Sequence, residues 1–540
     1  MKAQCLPFSQ IPHTTKLFAD FLSWAPPIRQ FYPRSGHFQD WLKDETPNSR
    51  YDDSRRERVA AILERQNKVW GVAAKTQENI ARFRAGAAVV VTGQQVGLFG
   101  GPVFSLYKAL TAVKLAQQAA QAGVDCVPVF WLATTDHDLA EVNQLSIPGP
   151  DGVRHGLTAP TEGVPDAPVS SVTFKAGIEQ VMESAAGLLG DSPVAAYLRE
   201  AYRPGENFGG AFARLFARLF ADWGVILLDA SDPELHAVAQ PIYHAAIERA
   251  PELDDALLKR GSELEAAGYH QQVKVTPSST LLFALQNGAR VPVHRRANGN
   301  ARSVDFSIGE EQVSKAELLQ RIASIPHDFN PNVLLRPVVQ DYLLPTIAYT
   351  GGSAEVAYFA QAAVGYEALL GHITPIIPRF SATLIEAKPQ SLLERYGLAL
   401  PDLFQGPEAV REVLAQRALP RDLQTAFERA DGTVKNALAS IQEPLGRLDK
   451  TLLEAAANAT SKMLHQLEQL RSRAARAELR QSEVLNRHAD LLSGALYPDK
   501  ILQERETAGV YFLSRYGTEL LQGLYDSIHT DCLDHQVITL

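Results

Sequence analysis

The chain has 540 residues, 46% of them hydrophobic and 21% charged, which excludes disordered, collagen-like and disulfide-scaffold classes and leaves room for roughly two to four packed units. Its 52 basic and 61 acidic residues give a net charge of −9, the wrong sign for a general grip on nucleic-acid phosphates or anionic lipid. Cys5, Cys126 and Cys532 stand far apart in no ligand spacing, which argues against a disulfide framework and a structural zinc site and fits a reducing compartment. The N-terminal run MKAQCLPFSQIPHTTKLFADF lacks the apolar core of a signal peptide, and the longest apolar stretches are strand-length. The expectation is a cytoplasmic protein with no membrane or nucleic-acid partner.

In chain order, Asp52 to Arg84 is charged and helix-friendly, with a broken apolar stripe through Val59, Ile62, Leu63, Val69 and Trp70. Ala87 to Gly93 (AAVVVTG) is a short β-branched run of the kind buried on both faces of a parallel sheet. A glycine-rich turn follows, then a helix from Pro102 to Gly123, whose Val103, Leu106, Leu110 and Val113 share a face. Val127 to Ala133 is a second buried strand, so the segment is a βαβ unit and the sheet is parallel. Further strands are expected at Gly224 to Ala230, Thr346 to Gly352 and His372 to Pro378.

Two stretches interrupt this rhythm. Ile147 to Gly205 opens Pro/Gly-rich, and Gly268 to Val333 reads as short antiparallel strands. Behind them, Val434, Ile441 and Leu448, like Leu438, Leu445 and Leu452, fall seven apart, and a second apolar set runs from Met463 to Ala495. That spacing predicts an antiparallel helical hairpin turning near Asn458 to Ser461, with Pro444 kinking the first helix, either projecting as an arm or packed as a bundle. The expected division is 1–146, 206–267 and 334–383 as one Rossmann-like α/β core, 147–205 and 268–333 as insertions, 384–497 as the helical arm, and 498–540 as a segment returning to the core.

Ligands of open α/β sheets bind outside the carboxyl ends of the strands, so the residues following each strand are the candidates. After the first come Gly93, Gln94, Gln95, Gly97, Gly100 and Gly101, a loop whose amides and following helix suit an anion or a tight turn; neither a dinucleotide nor a P-loop spacing is present. After the second come Asp136, His137, Asp138, Glu141 and Asn143. A histidine between carboxylates has a raised pKa and can serve as acid or base, and the group could also hold a divalent metal or a substrate ammonium, or simply cap a helix. No metal-ligand set is assigned. A third group combines Arg336, Gln340 and Asp341 with Tyr349, Gly351, Gly352 and Glu355; of these all but Gln340, together with Asn143, are the expected substrate contacts, and Arg379, Ser381 and Thr383 follow the last strand. These residues alone describe an α/β enzyme for a small anionic ligand.

The runs VVVTGQQVGLFGGPVFSLYKALTAVKLA, VPVFWLATTDHDLAEVN, LLRPVVQDYLLPTIAYTGGSAEVAYFAQ and PIIPRFSATLIE, with FLSWAPPIRQFY near the start and YPDKILQERE near the end, closely resemble the bacillithiol-biosynthesis family of cysteine ligases. The resemblance runs the length of the chain. It implies a core related to the nucleotidylyltransferases and class I synthetases, two connecting insertions, and a coiled coil through which the protein dimerises. It also implies a carbon–nitrogen ligase making a low-molecular-weight thiol: L-cysteine is joined by an amide to glucosaminyl malate, with ATP and Mg2+ as co-substrate. On that reading the loop from Gly93 to Gly101, with Arg379 and Ser381, meets the nucleotide. Asp136, His137 and Asp138 then hold an amine or act as base. The HIGH and KMSKS signatures of those synthetases are absent, GGPVFSLYK standing nearest the first. The rival readings are a nucleotidyl or nucleotide-sugar transferase on the same core, and a non-catalytic metabolite-binding coiled-coil assembly protein.

Overall fold

Three consecutive valines favour extended backbone, and Ala88–Gln94 forms the central strand, β1, of a five-stranded sheet. The computed structural model describes residues 1–44, 51–149, 152–296 and 305–540; Pro150 and Asp151 of the Pro/Gly-rich run and residues 297–304 of the second expected insertion lie outside the described residues. Strands β2 (Cys126–Leu132), β3 (Ile226–Asp229), β4 (Thr346–Gly351) and β5 (Ile376–Pro378) complete the sheet in the order β5-β4-β1-β2-β3, every pair parallel. Both faces of β1 are covered. Val89 and Val91 pack with Val127 and Val129 on one side, Ala88 and Val90 with Ala112 and Leu115 on the other, which is why the strand reads as an unbroken apolar run. Helix α1 (Phe104–Gln121) makes the crossover from β1 to β2.

The chain lays β1, β2 and β3 outward in one direction and then returns to place β4 on the other flank of β1. The β1/β4 boundary is therefore the topological switch point, where a crevice opens at the strand ends. Thr92 Oγ1 donates to the Thr350 carbonyl across it (2.9 Å), and helix α2 (Ser353–Leu370) leaves from β4 at its mouth.

The first insertion contributes the hairpin Gln144–Pro148/Arg154–Thr158 and the helices Ile178–Leu189 and Pro193–Ala201. The second forms an antiparallel sheet around Ser279–Gln286 and Ala289–Arg296, as its alternating pattern predicts. Ser279–Gln286 also pairs with Phe329–Pro331, which brings this sheet over the crevice.

A third sheet closes the chain on itself. Lys2–Leu6 runs antiparallel to His535–Thr539, which runs parallel to Ala382–Ile385. Cys5 and Cys532 are joined there as a disulfide, against the expectation of unpaired cysteines. Their spacing in sequence hid a proximity that only the pairing of the two chain ends creates.

In the rear, α3 (Arg421–Leu448) and α4 (Thr451–Gln481) form the hairpin and α5 (Glu483–Leu496) follows. The turn lies at Asp449 and Lys450, not near Asn458 to Ser461: Asp449 Oδ1 accepts from the Thr451 amide and hydroxyl (2.8 Å each) and restarts the helix. The alanine-rich stretch 455–459 is good helix sequence, so the chain continues through it. Leu452 therefore belongs to the second helix. Pro444 stays inside α3, near its end. The helices Ala387–Tyr396 and Pro407–Arg417 pack with α5 in a separate apolar cluster, so the projecting part is α3 and α4 alone. Along it Ile441, Leu448, Met463 and Leu470 stay exposed, Leu448 at 79%.

Candidate active site

A cavity of about 580 Å³ opens at the switch point, floored by Gly93, Gln94, Trp131 and Tyr349 and roofed by the second insertion through Leu282, Phe283 and Val293. Two neighbours adjoin it: one of about 260 Å³ beyond Gly352 and Arg379, and one of about 680 Å³ beyond Gln95 and Phe104.

Between β1 and β4 lies a buried charge network. Lys108, one turn into α1, donates to the Gly93 carbonyl (2.7 Å) and Gln94 Oε1 (2.9 Å) and pairs with Glu355 (2.6 Å). Burial pushes its ammonium pKa down to about 8, and the Glu355 carboxylate resists the fall. Burial works against the Glu355 charge too, but Lys108, the Tyr349 hydroxyl (2.5 Å) and the Gly352 amide (2.7 Å) outweigh it and hold that carboxyl below the usual range. Arg336 comes next. Its guanidinium donates to Gln340 Oε1 (3.0 Å) and Tyr358 Oη (2.7 Å) and lies over the Tyr349 ring, with no carboxylate at ion-pair distance among the described residues. Arg336 is half-buried, with the Glu355 charge acting on it only at a distance, so this wall can take an anion.

Arg379 is paired to Glu504 from the C-terminal segment (2.6 Å), both side chains nearly inaccessible at 5% and 2%. Its Nε has no hydrogen-bond partner among the described residues and lies 3.5 Å from where a Cβ on Gly352 would sit. Arg505 stands at the mouth, its guanidinium 3.5 Å from Ser353 Oγ. At the start of α2 the Gly352 amide is held by Glu355, while Ser353 and Ala354 are first-turn amides with no protein acceptor among the described residues. Cations and helix N-terminus thus converge on one end of the cavity.

The opposite end is acidic. Gln95 Nε2 bridges Asp136 (3.2 Å) and Glu141 (2.6 Å), and both carboxylates line the cavity. Burial lifts the Glu141 carboxyl above its usual pKa, against the Gln95 hydrogen bond. His137 and Asp138 are not in the wall. Asp138 caps the short helix Leu139–Val142, accepting from the Glu141 amide (3.1 Å). His137 turns to Arg290 of the second insertion, whose guanidinium lies 3.0 Å from Nδ1. Arginine can only donate, so Nδ1 accepts from it, and the histidine expected between two carboxylates lies between this cation and the Asp136 carboxylate, 3.5 Å from Nδ1.

Other predicted residues also divide. Gly93, Gln94, Gln95, Arg336, Tyr349, Gly352, Glu355 and Arg379 line the main cavity. Gly351 and Ser381 line the small one, Ser381 being bonded to Glu504 (3.0 Å) and to His535 (2.7 Å), a histidine whose pKa burial lowers to about 4. Gly97 and Gly101 line the third.

The amides of the first glycine loop do not form the expected anion cradle. Gly97, Gly100 and Gly101 donate within their own turn, and the Val103 amide donates to the Thr507 carbonyl (2.9 Å), so the C-terminal segment covers the α1 N-terminus. Gly100 is buried behind the loop, its amide also donating to Tyr202 (3.1 Å). Asn143 ends a helical turn outside the cavity wall. Asp341 is buried away from the cavity and bonded to His372 Nε2 (2.6 Å).

Lys108, Glu504, Arg505 and Arg290 were not among the expected residues. Lys108 carried a signal, a lone cation in an apolar helix face. Glu504 and Arg505 lie in the run QERE, which reads as a solvated surface.

Comparison with known proteins follows the same division of the chain. The family model for the bacillithiol biosynthesis BshC N-terminal Rossmann-like domain matches residues 1–380, and that for the BshC C-terminal coiled-coil domain matches 382–540. The chain is 48% identical over 538 residues to a protein of Koribacter versatilis and 36% identical over 541 to one of Solibacter usitatus, covering 100% of each chain. A Salinibacter ruber protein is 32% identical over 534 residues, covering 97% of this chain and 96% of its own. All three carry the name "Putative cysteine ligase BshC".

Proposed function

The chain belongs to the BshC family of bacillithiol biosynthesis, and from that premise we propose that it is a cytoplasmic, ATP-dependent ligase joining the carboxyl of L-cysteine to the amine of glucosaminyl malate. The observation that carries this reading is the two-poled cavity: Arg336, Arg379 and Arg505 with open helix amides at one end, a bridged pair of carboxylates at the other. Amide formation needs both. The amine must be held and lose a proton, and the acyl group must be activated and its developing negative charge balanced.

Phosphates of ATP fit the basic end, where Arg336, held by Gln340 and Tyr358, lines the cavity and the Arg379 Nε and the Ser353 and Ala354 amides present donors with no protein partner among the described residues. ATP would supply the activation of the carboxylate, with Mg2+ as its companion. Asp136 and Glu141 would hold the ammonium, and Glu141, whose carboxylate burial makes more basic than usual, would take the proton as the amine attacks. Lys108 and Glu355 keep the start of α2 fixed against β1, so that the basic pole is in place before substrate arrives. Leu282, Phe283 and Val293 give the cavity a dry roof that strengthens these interactions. The exposed apolar positions along α3 and α4 are suited to a second copy, making the hairpin a homodimer arm.

The test is a reaction of the purified chain with ATP, cysteine and glucosaminyl malate, followed by mass spectrometry. The amide-linked thiol should appear, and its absence while nucleotide is passed to the sugar would overturn the reading in favour of a transferase. Assaying phosphate against pyrophosphate in the same tube names the activation route.

A further inference from the structure

Cys5 and Cys532 are 527 positions apart in sequence, yet they meet where the chain's two ends pair, with Cα atoms 7.1 Å apart. Cys5 lies exposed on the edge strand Lys2–Leu6, opposite Gln536, and Cys532 is half-buried in the segment leading to the central strand of that sheet. Cys126 is buried in β2 and far from reagents. In the seam between the ends, beside the antiparallel ladder of Lys2–Leu6 with His535–Thr539, Asp534 accepts from the Phe8 amide (3.1 Å), and His535 reaches Ser381 (2.7 Å) and Thr383 (2.9 Å). Through Ser381 that seam touches Glu504, the partner of Arg379 in the basic pole.

We infer that Cys5 and Cys532 form a reversible thiol–disulfide modification site whose co-reactant is a low-molecular-weight disulfide. Cys5, the accessible sulfur, attacks the reagent as thiolate, forms a mixed disulfide and releases one small thiol. Cys532 then attacks the Cys5 sulfur and expels the second small thiol. The two cysteines lose two electrons and two protons, and the reagent gains them, so a small disulfide becomes two thiols. Reduction by two equivalents of small thiol runs the steps backward. Because Cys5 is on an edge strand, it can adjust between the bridged and open forms without disturbing the core sheet. The closure of the chain ends thereby follows the thiol–disulfide balance of the surroundings. The inference stands apart from the ligase reading, since its readout is the state of the cysteines.

The experiment treats the intact, folded chain first with reductant and then with oxidised glutathione, and counts alkylatable thiols after denaturation. Three thiols are expected when reduced. After oxidation only Cys126 should remain, with the chain lighter by two hydrogens, no glutathionyl group retained, a Cys5–Cys532 linked peptide on digestion, and a higher unfolding midpoint. In Cys532→Ser the exposed Cys5 has no internal partner and should keep one glutathionyl group, with no rise in midpoint. Three thiols persisting in the wild type, glutathionyl retained on both cysteines, cross-links between chains, or an unmodified Cys5 in Cys532→Ser would each overturn the inference.

Discussion

The turn after β1 and the turn after β4 both bring glycines to the start of a long helix, but the first uses its amides inside the fold and the second leaves them facing a cavity. In the first, Gly97, Gly100 and Gly101 close tight turns, and the segment from Thr507 to Gly509 lies across the opening of α1, accepting from Val103 and donating to Gly101. In the second, the Gly352 amide is taken by Glu355, the next two amides have no acceptor among the described residues, and Arg379 and Arg505 stand beside the turn. Glycine in such a turn reports a backbone need: Gly101 has φ +72° and Gly100 φ +85°. An anion site needs more than this, namely open amides together with cations that lack counter-ions. The difference between the turns lies in what the rest of the chain lays over them.

Breaking the second turn should have the largest effect. Glu355→Gln leaves Lys108 buried without a carboxylate and weakens the hold on Gly352 and Tyr349. A loss of about 3–5 kcal/mol is expected by denaturant titration, and a loss below about 1 kcal/mol would mean that the pair does not hold α2 to β1. Arg336→Met tests the cavity rather than the scaffold. Because Arg336 has no carboxylate partner, stability should change little, while ATP binding by calorimetry weakens about ten- to a hundredfold, the worth of one or two charge-assisted hydrogen bonds. Unchanged affinity would move the anion site away from α2. Gly101→Ala sharpens the contrast from the other side. A Cβ there meets Ser105 Oγ at 3.3 Å at a backbone angle that disfavours side chains, so stability should fall by roughly 2 kcal/mol while ATP affinity of the folded fraction stays as it was. A selective loss of ATP affinity would restore the first loop as a phosphate cradle.

The parts legible in the sequence were those decided locally. β1, β2 and α1 announce themselves because burial on both faces leaves unbroken apolar runs and a glycine-bounded helix. The strand-end rule then brought Gly93, Tyr349, Gly352 and Glu355 to one cavity, where Arg336, ahead of the same strand, joins them. What was not legible depends on partners remote in the chain. Glu504 meets Arg379 from 125 positions away, and Thr507 covers the amide of Val103. The hairpin turn was displaced because heptad spacing passes through it unbroken, and only the Asp449 side chain, bonding to Thr451, marks the restart. Asp138 looked chemical because it neighbours a histidine, but its geometry is that of a helix cap.

His137 gives the smallest expected effect and the clearest separation of neighbours in sequence from neighbours in the site. It lies between two aspartates, yet Asp136 alone of the three lines the cavity, and the imidazole instead accepts from Arg290, stacked over Phe283 at 4.0 Å. Arg290 keeps the Pro331 carbonyl (3.0 Å) and Asp136 (3.5 Å) when the ring is removed. His137→Ala therefore costs one hydrogen bond to a guanidinium whose other partners remain, about 1 kcal/mol or roughly a fivefold drop in kcat/KM for the ligation. A positioning role also predicts that the pH profile of the reaction keeps its shape, because in the proposed reaction the proton passes to the Asp136–Glu141 end of the cavity. Loss of the acidic limb of that profile in His137→Ala, or complete loss of product, would instead make the histidine the base and reverse the assignment of the acidic pole.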